Sequence, residues 1–242
     1  MSDRRNSNSR RDFLRSSLVA ISTVTLTSGA PTVLASPGNG QKQERFLNDP
    51  EKRFLESAVE RLIPRDEHWA GAAEAGVVNY IDLQMAGAWG RGELLYRHGP
   101  FRTGTPSQGF QLEYTPAELF RRSISAISAH FAAQGKAFDQ LPPAEQDRYL
   151  ASLEKGGIDL DGVPCNVFFE LLLKHTVEGF FSDPIYGGNK NKVGWRMLGF
   201  PGAYSDYYDL IDKHGIAFDR EPLGIGEGMS AHAMRSSGGG GK

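Results

Sequence analysis

Cysteine is nearly absent from this sequence: Cys165 is the only one in 242 residues. An internal disulfide is thereby excluded, as are a Cys-ligated iron–sulfur centre and a Cys-rich structural zinc site. No C-x-x-C-H stretch occurs, so this chain carries no covalently attached c-type haem. An excess of one charge is also missing. The 27 basic and 29 acidic residues leave a formal net charge of −2, which argues against a nucleic-acid partner. No G-x-G-x-x-G follows a strand pattern, and no phosphate-cradling G-x-x-x-x-G-K-[ST] loop is present. H-E-x-x-H and G-x-S-x-G are missing as well. What remains is ordinary globular material, 39% hydrophobic and 23% charged, neither disordered nor polytopic in composition.

The first residues read as an address. Ser9-Arg10-Arg11-Asp12-Phe13-Leu14-Arg15 precedes an uncharged stretch from Ser16 to Ala30, followed by Pro31-Thr32-Val33-Leu34-Ala35. A basic region, a mild apolar run and a small residue are the parts of an export signal. Paired Arg10 and Arg11 with Phe13 and Leu14 behind them mark the twin-arginine type. The apolar run is broken by Ser and Thr and falls short of the ~20 apolar residues a bilayer span needs. Cleavage is expected after Ala35. Removing residues 1–35 takes away five arginines and two aspartates, leaving 22 basic and 27 acidic residues, a net charge of −5. In an oxidising compartment an unpaired thiol is best buried, and Cys165 is expected to be a packed, inert one.

Residues 36–48 are polar and Gly-rich and read as a linker. A helix is expected from Asp49, with Asp as cap and Pro50 in its first turn, ending at Pro64. Its apolar stripe is Phe54, Leu55, Ala58, Val59, Leu62 and Ile63. A second helix is expected over about Ala72 to Met85. Thr115-Pro116-Ala117-Glu118 is a capping box that opens a third, with Phe120, Ile124, Ile127 and Phe131 on one face and a stop at Gly135. Pro142-Pro143 opens a fourth, closed by Gly156-Gly157. A fifth runs from Pro164 to about Phe181, and its run Val167 to Leu173 is apolar nearly all round, which predicts the most buried helix. Strand-type alternation is lacking, so the fold class is all-α: one irregular helical domain over 49–214 with long Gly- and aromatic-rich loops. Residues 87–114 and 182–203 are expected to be irregular, with one short last helix near Tyr204 to Leu210. Residues 215–242 form an extended tail, placed to lie on a partner, whose end from Ser236 to Lys242 resembles a flexible linker.

Chemistry is sparse. None of the six histidines (His68, His98, His130, His175, His214, His232) has an i, i+4 histidine partner. Asp66-Glu67-His68 reads as a solvated turn at a helix end rather than a ligand cluster. His175, with Glu178 three residues on, is either a core or interface histidine or a base oriented by that carboxylate. The aromatic residues of the irregular segments also have two readings. Trp89, Tyr186, Trp195, Arg196, Met197 and Phe200 either fold back as a satellite core or stay exposed as anchors of a protein–protein interface.

These segments also carry a resemblance. The blocks are Arg61-Leu62-Ile63-Pro64, Glu74 to Asp82, Gly99-Pro100-Phe101, Gln108 to Leu112, Phe168 to Leu172, Glu178 to Asn189 and Gly194 to Tyr204. With the twin-arginine signal, they make the chain resemble the small (gamma) subunit of membrane-bound gluconate 2-dehydrogenase, the subunit 3 family, from about Phe54 to His214. That resemblance implies a periplasmic heterotrimer. Its large subunit is an FAD-dependent oxidoreductase of a sugar or sugar acid, and its multihaem cytochrome c subunit anchors the complex and passes electrons to membrane quinone. The small subunit has no known cofactor and no catalytic residues to carry over; it serves as an export and maturation partner that meets the twin-arginine translocase. Related fructose and glucose dehydrogenases use the same family, so the substrate stays open. The alternative is a stand-alone exported enzyme or ligand-binding protein whose irregular loops line a pocket.

Overall fold

The computed structural model describes residues 45–102, 104–105, 111–204, 210–216 and 220–227. Arg10, Arg11, Phe13 and Leu14 of the expected signal lie outside them, as do Phe110, Tyr207, Tyr208, His232 and the Ser236–Lys242 end.

Helix α1 covers Asp49–Leu62. Its cap is Asn48 rather than the expected Asp49. The Asn48 side chain accepts from the Glu51 N–H and the Glu51 carboxylate accepts from the Asn48 N–H, 2.9 Å each, so two orphan amides are satisfied reciprocally. Phe54, Leu55, Ala58 and Val59 are buried. Helix α2, Val77–Ala86, starts five residues later than the periodicity of 72–85 predicts. Gly76 sits at φ +78°, a left-handed conformation that breaks any helix running through it. Helix α3, Pro116–Ala132, opens on the expected Thr115–Glu118 capping box. Helix α4, Pro143–Lys155, follows with Leu150 and Leu153 buried.

A two-stranded hairpin was not foreseen. Strands β1 (Asp159–Leu160) and β2 (Val163–Pro164) pair antiparallel, Leu160 opposite Val163. Asp161 and Gly162 connect them at φ +56° and +82°, the Asp-Gly signature of a tight primed turn. The chain is otherwise helical among the described residues, in line with the all-α expectation.

Helix α5, Cys165–Phe181, is the centre, packed against α1, α2, α3, α4 and the short helix α6 (Val193–Leu198). Phe168, Leu172, Thr176, Gly179 and Phe180 fill the core, with a fully buried Cys165 at the start. The run is not buried all round, however. Leu173 and Val177 are 38% and 42% exposed, because they share an outward face with Glu170 and Lys174 that no other helix among the described residues covers.

The expected 36–48 linker ends inside the fold. Leu47 is buried, and the N–H groups of Phe46 and Leu47 donate to one oxygen of the buried Asp82 at 2.7 and 2.8 Å. Arg45 pairs with the other oxygen at 3.2 Å, and the Arg121 guanidinium covers the Phe46 ring at 4.1 Å. A carboxylate this deep is stable because each of its oxygens has a donor.

Candidate functional site

Beyond α5 the chain makes a compact platform. Asp183 accepts from the Ile185 N–H at 3.0 Å and starts the single turn Pro184–Tyr186. Asn189, fully buried, then staples the loop. Its amide donates to the Ser182 carbonyl at 2.8 Å and accepts from the Gly194 N–H at 2.8 Å. From below, Asn79 on α2 donates to the Gly187 carbonyl at 2.9 Å. These bonds hold Asn189, Asn191 and Lys192 at φ +47°, +58° and +57°, a left-handed run that costs about 1–3 kcal/mol per non-glycine residue where nothing offsets it.

The run turns the backbone into α6, a helix that glycine content hid from sequence analysis. Trp195 faces inward, 6% exposed, its indole N–H donating to the Phe181 carbonyl at 2.7 Å. Phe200 packs edge-on against it with ring centroids 5.2 Å apart. Trp89 also packs inward, edge-on to His175 at 4.6 Å. Trp195 is thus buried and Trp89 half-buried against the core. Tyr186, Arg196, Met197 and Phe200 reach the surface. Leu198, 65% exposed, and Phe200, 47% exposed, line an apolar groove of about 440 Å³ with Phe181, Trp195, Gly199 and Pro201. Ile185 stands exposed beside Tyr186.

The described part of the tail lies on this platform. Leu223 donates its N–H to the Pro201 carbonyl at 3.0 Å and accepts from the Ala203 N–H at 2.6 Å. Ile225 donates to Asp183 at 2.8 Å. Lys192 bonds the Pro222 carbonyl and the Glu227 carboxylate at 2.9 and 2.7 Å, and Arg196 pairs with Glu221 at 2.8 Å. Lys192 draws the Glu227 carboxyl below its usual range. Residues 220–227 of the tail thus lie on this chain.

His175 is buried among Trp89, Tyr80 and Phe120. Glu178 Oε2 lies 3.0 Å from Nδ1, yet off the line a hydrogen bond needs, so neither ring nitrogen has an aligned partner among the described residues. Burial pushes its pKa below the ordinary imidazole range, while the Glu178 carboxylate pulls the other way. Tyr80 sits 3.4 Å from the same carboxylate, and its phenol is pushed up to about 12, first by burial. A base needs a path to substrate, and His175 lines neither the apolar groove nor a second cleft of about 210 Å³ lined by His68, Trp69, Glu74, Lys190 and Arg196. Asp66, Glu67 and His68 form an exposed turn in which Asp66 accepts the N–H groups of His68 and Trp69. Those bonds lower the Asp66 pKa.

Among the described residues no group of three or more His, Cys, Asp or Glu side chains is arranged to hold a metal. No helix there is long and apolar enough to cross a membrane. No curated protein and no solved structure matches the chain. The family model of gluconate 2-dehydrogenase subunit 3 does match, over residues 49–202. That span opens at the first residue of α1 and closes at Gly202 in the platform, taking in every helix described above. The chain belongs to the gluconate 2-dehydrogenase subunit 3 family.

Proposed function

We propose that this chain is the non-catalytic small subunit of a periplasmic, membrane-associated, FAD-dependent dehydrogenase of gluconate or a related sugar. It binds the large subunit, supports its folding and FAD retention, and supplies the twin-arginine signal for both. FAD belongs to the large subunit and haem c to the cytochrome subunit; this chain contributes surface, not cofactor ligands. The observation that carries the reading is the apolar groove beside Leu198 and Phe200 within the family-matched domain. Contiguous exposed apolar surface built on aromatic and aliphatic side chains is the composition of a protein–protein interface.

The test is co-purification. A tagged chain, extracted gently from membranes, should bring two larger chains with flavin and haem absorption. Leu198→Asp with Phe200→Asp should cut recovery of the large chain at least tenfold while this chain stays folded, since both side chains are exposed. Unchanged recovery would remove the groove from the interface. A colourless chain recovered alone would sink the subunit reading.

A further inference from the structure

The strap made by residues 220–227 and the apolar groove share a wall. Leu223 forms a parallel bridge with Gly202, bonding Pro201 on one side of it and Ala203 on the other, and Pro201 lines the groove. Gly202 touches both parts. A Cβ there would lie 2.3 Å from the Leu223 carbonyl oxygen and 2.9 Å from the Trp195 ring. Its bare backbone therefore lets the strap approach the indole that forms the groove wall. The Tyr204 hydroxyl adds a bond to the Glu221 carbonyl at 2.8 Å.

The strap also grips α6, which supplies Trp195 and Leu198 to the groove. Six residues make a helix too short to persist on its own backbone bonds, since isolated helices under ~12 residues are already marginal. Lys192, the residue before α6, bonds the Pro222 carbonyl and both oxygens of Glu227, at 2.9, 2.8 and 2.7 Å. Arg196 in the middle of the helix pairs with Glu221 at 2.8 Å. Between these grips the strap is folded on itself, Gly224 N–H donating to Glu227 at 3.0 Å while Ile225 N–H reaches Asp183. None of residues 220–227 lines the groove. The strap holds the wall and leaves the apolar surface open. It lies beyond the family-matched span, which closes at Gly202.

We infer that residues 220–227 are a splint that keeps the groove in its docking-competent shape, so that this chain's own tail sets how tightly the large subunit binds. The inference rests on the docking proposed above for the groove. With the strap detached, α6 and Phe200 to Ala203 lose the bonds that fix them. Apparent affinity then falls by the fraction of chains whose groove is formed, and docking carries the cost of ordering the rest. Salt dependence separates this from plain apolar contact. Arg196, Glu221 and Glu227 are exposed, so their ion pairs weaken as salt screens them, whereas burial of apolar surface does not.

The test uses the tagged full chain in its membrane complex. Glu221→Lys with Glu227→Lys should lower recovery of the large chain roughly fivefold or more, at an unchanged melting temperature. Adding Arg196→Glu re-forms one pair with its signs exchanged and should restore part of the loss. Raising salt from about 0.05 to 0.5 M should release the large chain from the parent and leave the variant's lower recovery unaltered. If the Lys pair itself lowers the melting temperature, Glu221→Gln with Glu227→Gln repeats the comparison without like-charge repulsion. Full recovery with the Glu221 and Glu227 variants, where Leu198→Asp with Phe200→Asp loses the large chain, would overturn the splint and leave the groove as the docking site. An equal response to salt in parent and variant would overturn it too. Recovery that ignores both pairs of substitutions would remove the groove from the interface and the splint with it.

Discussion

The indole N–H of Trp195 donates to the backbone carbonyl of Phe181 at 2.7 Å. Phe181 is the last residue of α5, where carbonyls have no partner inside their own helix. A side chain fourteen positions away therefore caps the central helix, and the exposed groove at Leu198 and Phe200 takes its place from a buried bond.

Trp195→Phe keeps a ring beside Phe200 and removes the donor. Leaving the Phe181 carbonyl unpaired should cost about 1–3 kcal/mol, read as a lower urea midpoint with an unchanged slope. Trp195→Ala, which also empties the space, should cost about 3–5 kcal/mol. A Phe variant as stable as the parent would mean that packing alone holds α6.

Gly202 sits at φ +82°, and a Cβ there would fall 2.3 Å from the Leu223 carbonyl oxygen. That neighbour is backbone and cannot swing aside. Gly202→Ala should detach residues 220–227 from the platform, adding about 1 kcal/mol of left-handed strain to the lost pairing. Limited proteolysis after Arg220 should quicken, while the melting of the helical domain changes little. Equal cleavage rates would show that the ion pairs of Lys192 and Arg196 hold the segment without the backbone.

Burial lowers the His175 pKa from its ordinary 6.5, so the folded ring stays neutral where the unfolded ring takes up a proton. Stability should hold above pH 6.5 and fall as pH drops below it, through the window down to the folded pKa. Lys174 opposes the charged ring, Glu178 favours it, and Tyr80 from α2 stays neutral throughout. The loss in melting temperature between pH 7 and pH 5 should be smaller in His175→Leu than in the parent. Identical slopes would assign the acid sensitivity to other groups.

Asp82 is buried with its oxygens on the Phe46 and Leu47 amides and on Arg45. Asp82→Ala leaves two amides without their acceptor and should cost about 3 kcal/mol or more. Asp82→Asn retains one acceptor and should cost roughly half as much. Hydrogen exchange at Phe46 and Leu47 separates this anchoring from a general loss of packing, because it should quicken far more there than in α5.

Sequence periodicity placed α1, α3, α4 and α5 well because each joins an apolar stripe to a proline or capping-box start. It misjudged where local stereochemistry overrides pattern. Gly76 cuts α2 short, and Asp161-Gly162 turns a hairpin two residues long, too brief for any alternation to register. Alpha-helix α6 follows three left-handed residues held by the buried Asn189 side chain, by Asn79 from α2 and by the Ala75 carbonyl, a tertiary cause with no local signature. Trp195 and Tyr186 looked alike as anchors because composition does not reveal which of two aromatics finds a buried carbonyl. Asp82 closes one of the family blocks, but nothing local shows its role, because its partners are backbone amides more than thirty positions upstream.

Arg10 and Arg11 carry the export claim. A translocase that reads paired guanidinium groups distinguishes them from ammonium groups, because planar, forked donors and point charges are not interchangeable. Arg10→Lys with Arg11→Lys should therefore strand this chain in the cytoplasm while leaving residues 45–227 folded. If it carries the large subunit, that subunit should be stranded with it, still loaded with flavin. Cell fractionation with a flavin assay reads both at once. A large subunit exported without this chain would end the carrier role. A foreign twin-arginine signal fused to the large subunit then divides what is left: activity without this chain would reduce it to an export tag, and inactivity would make it a stabilising clamp.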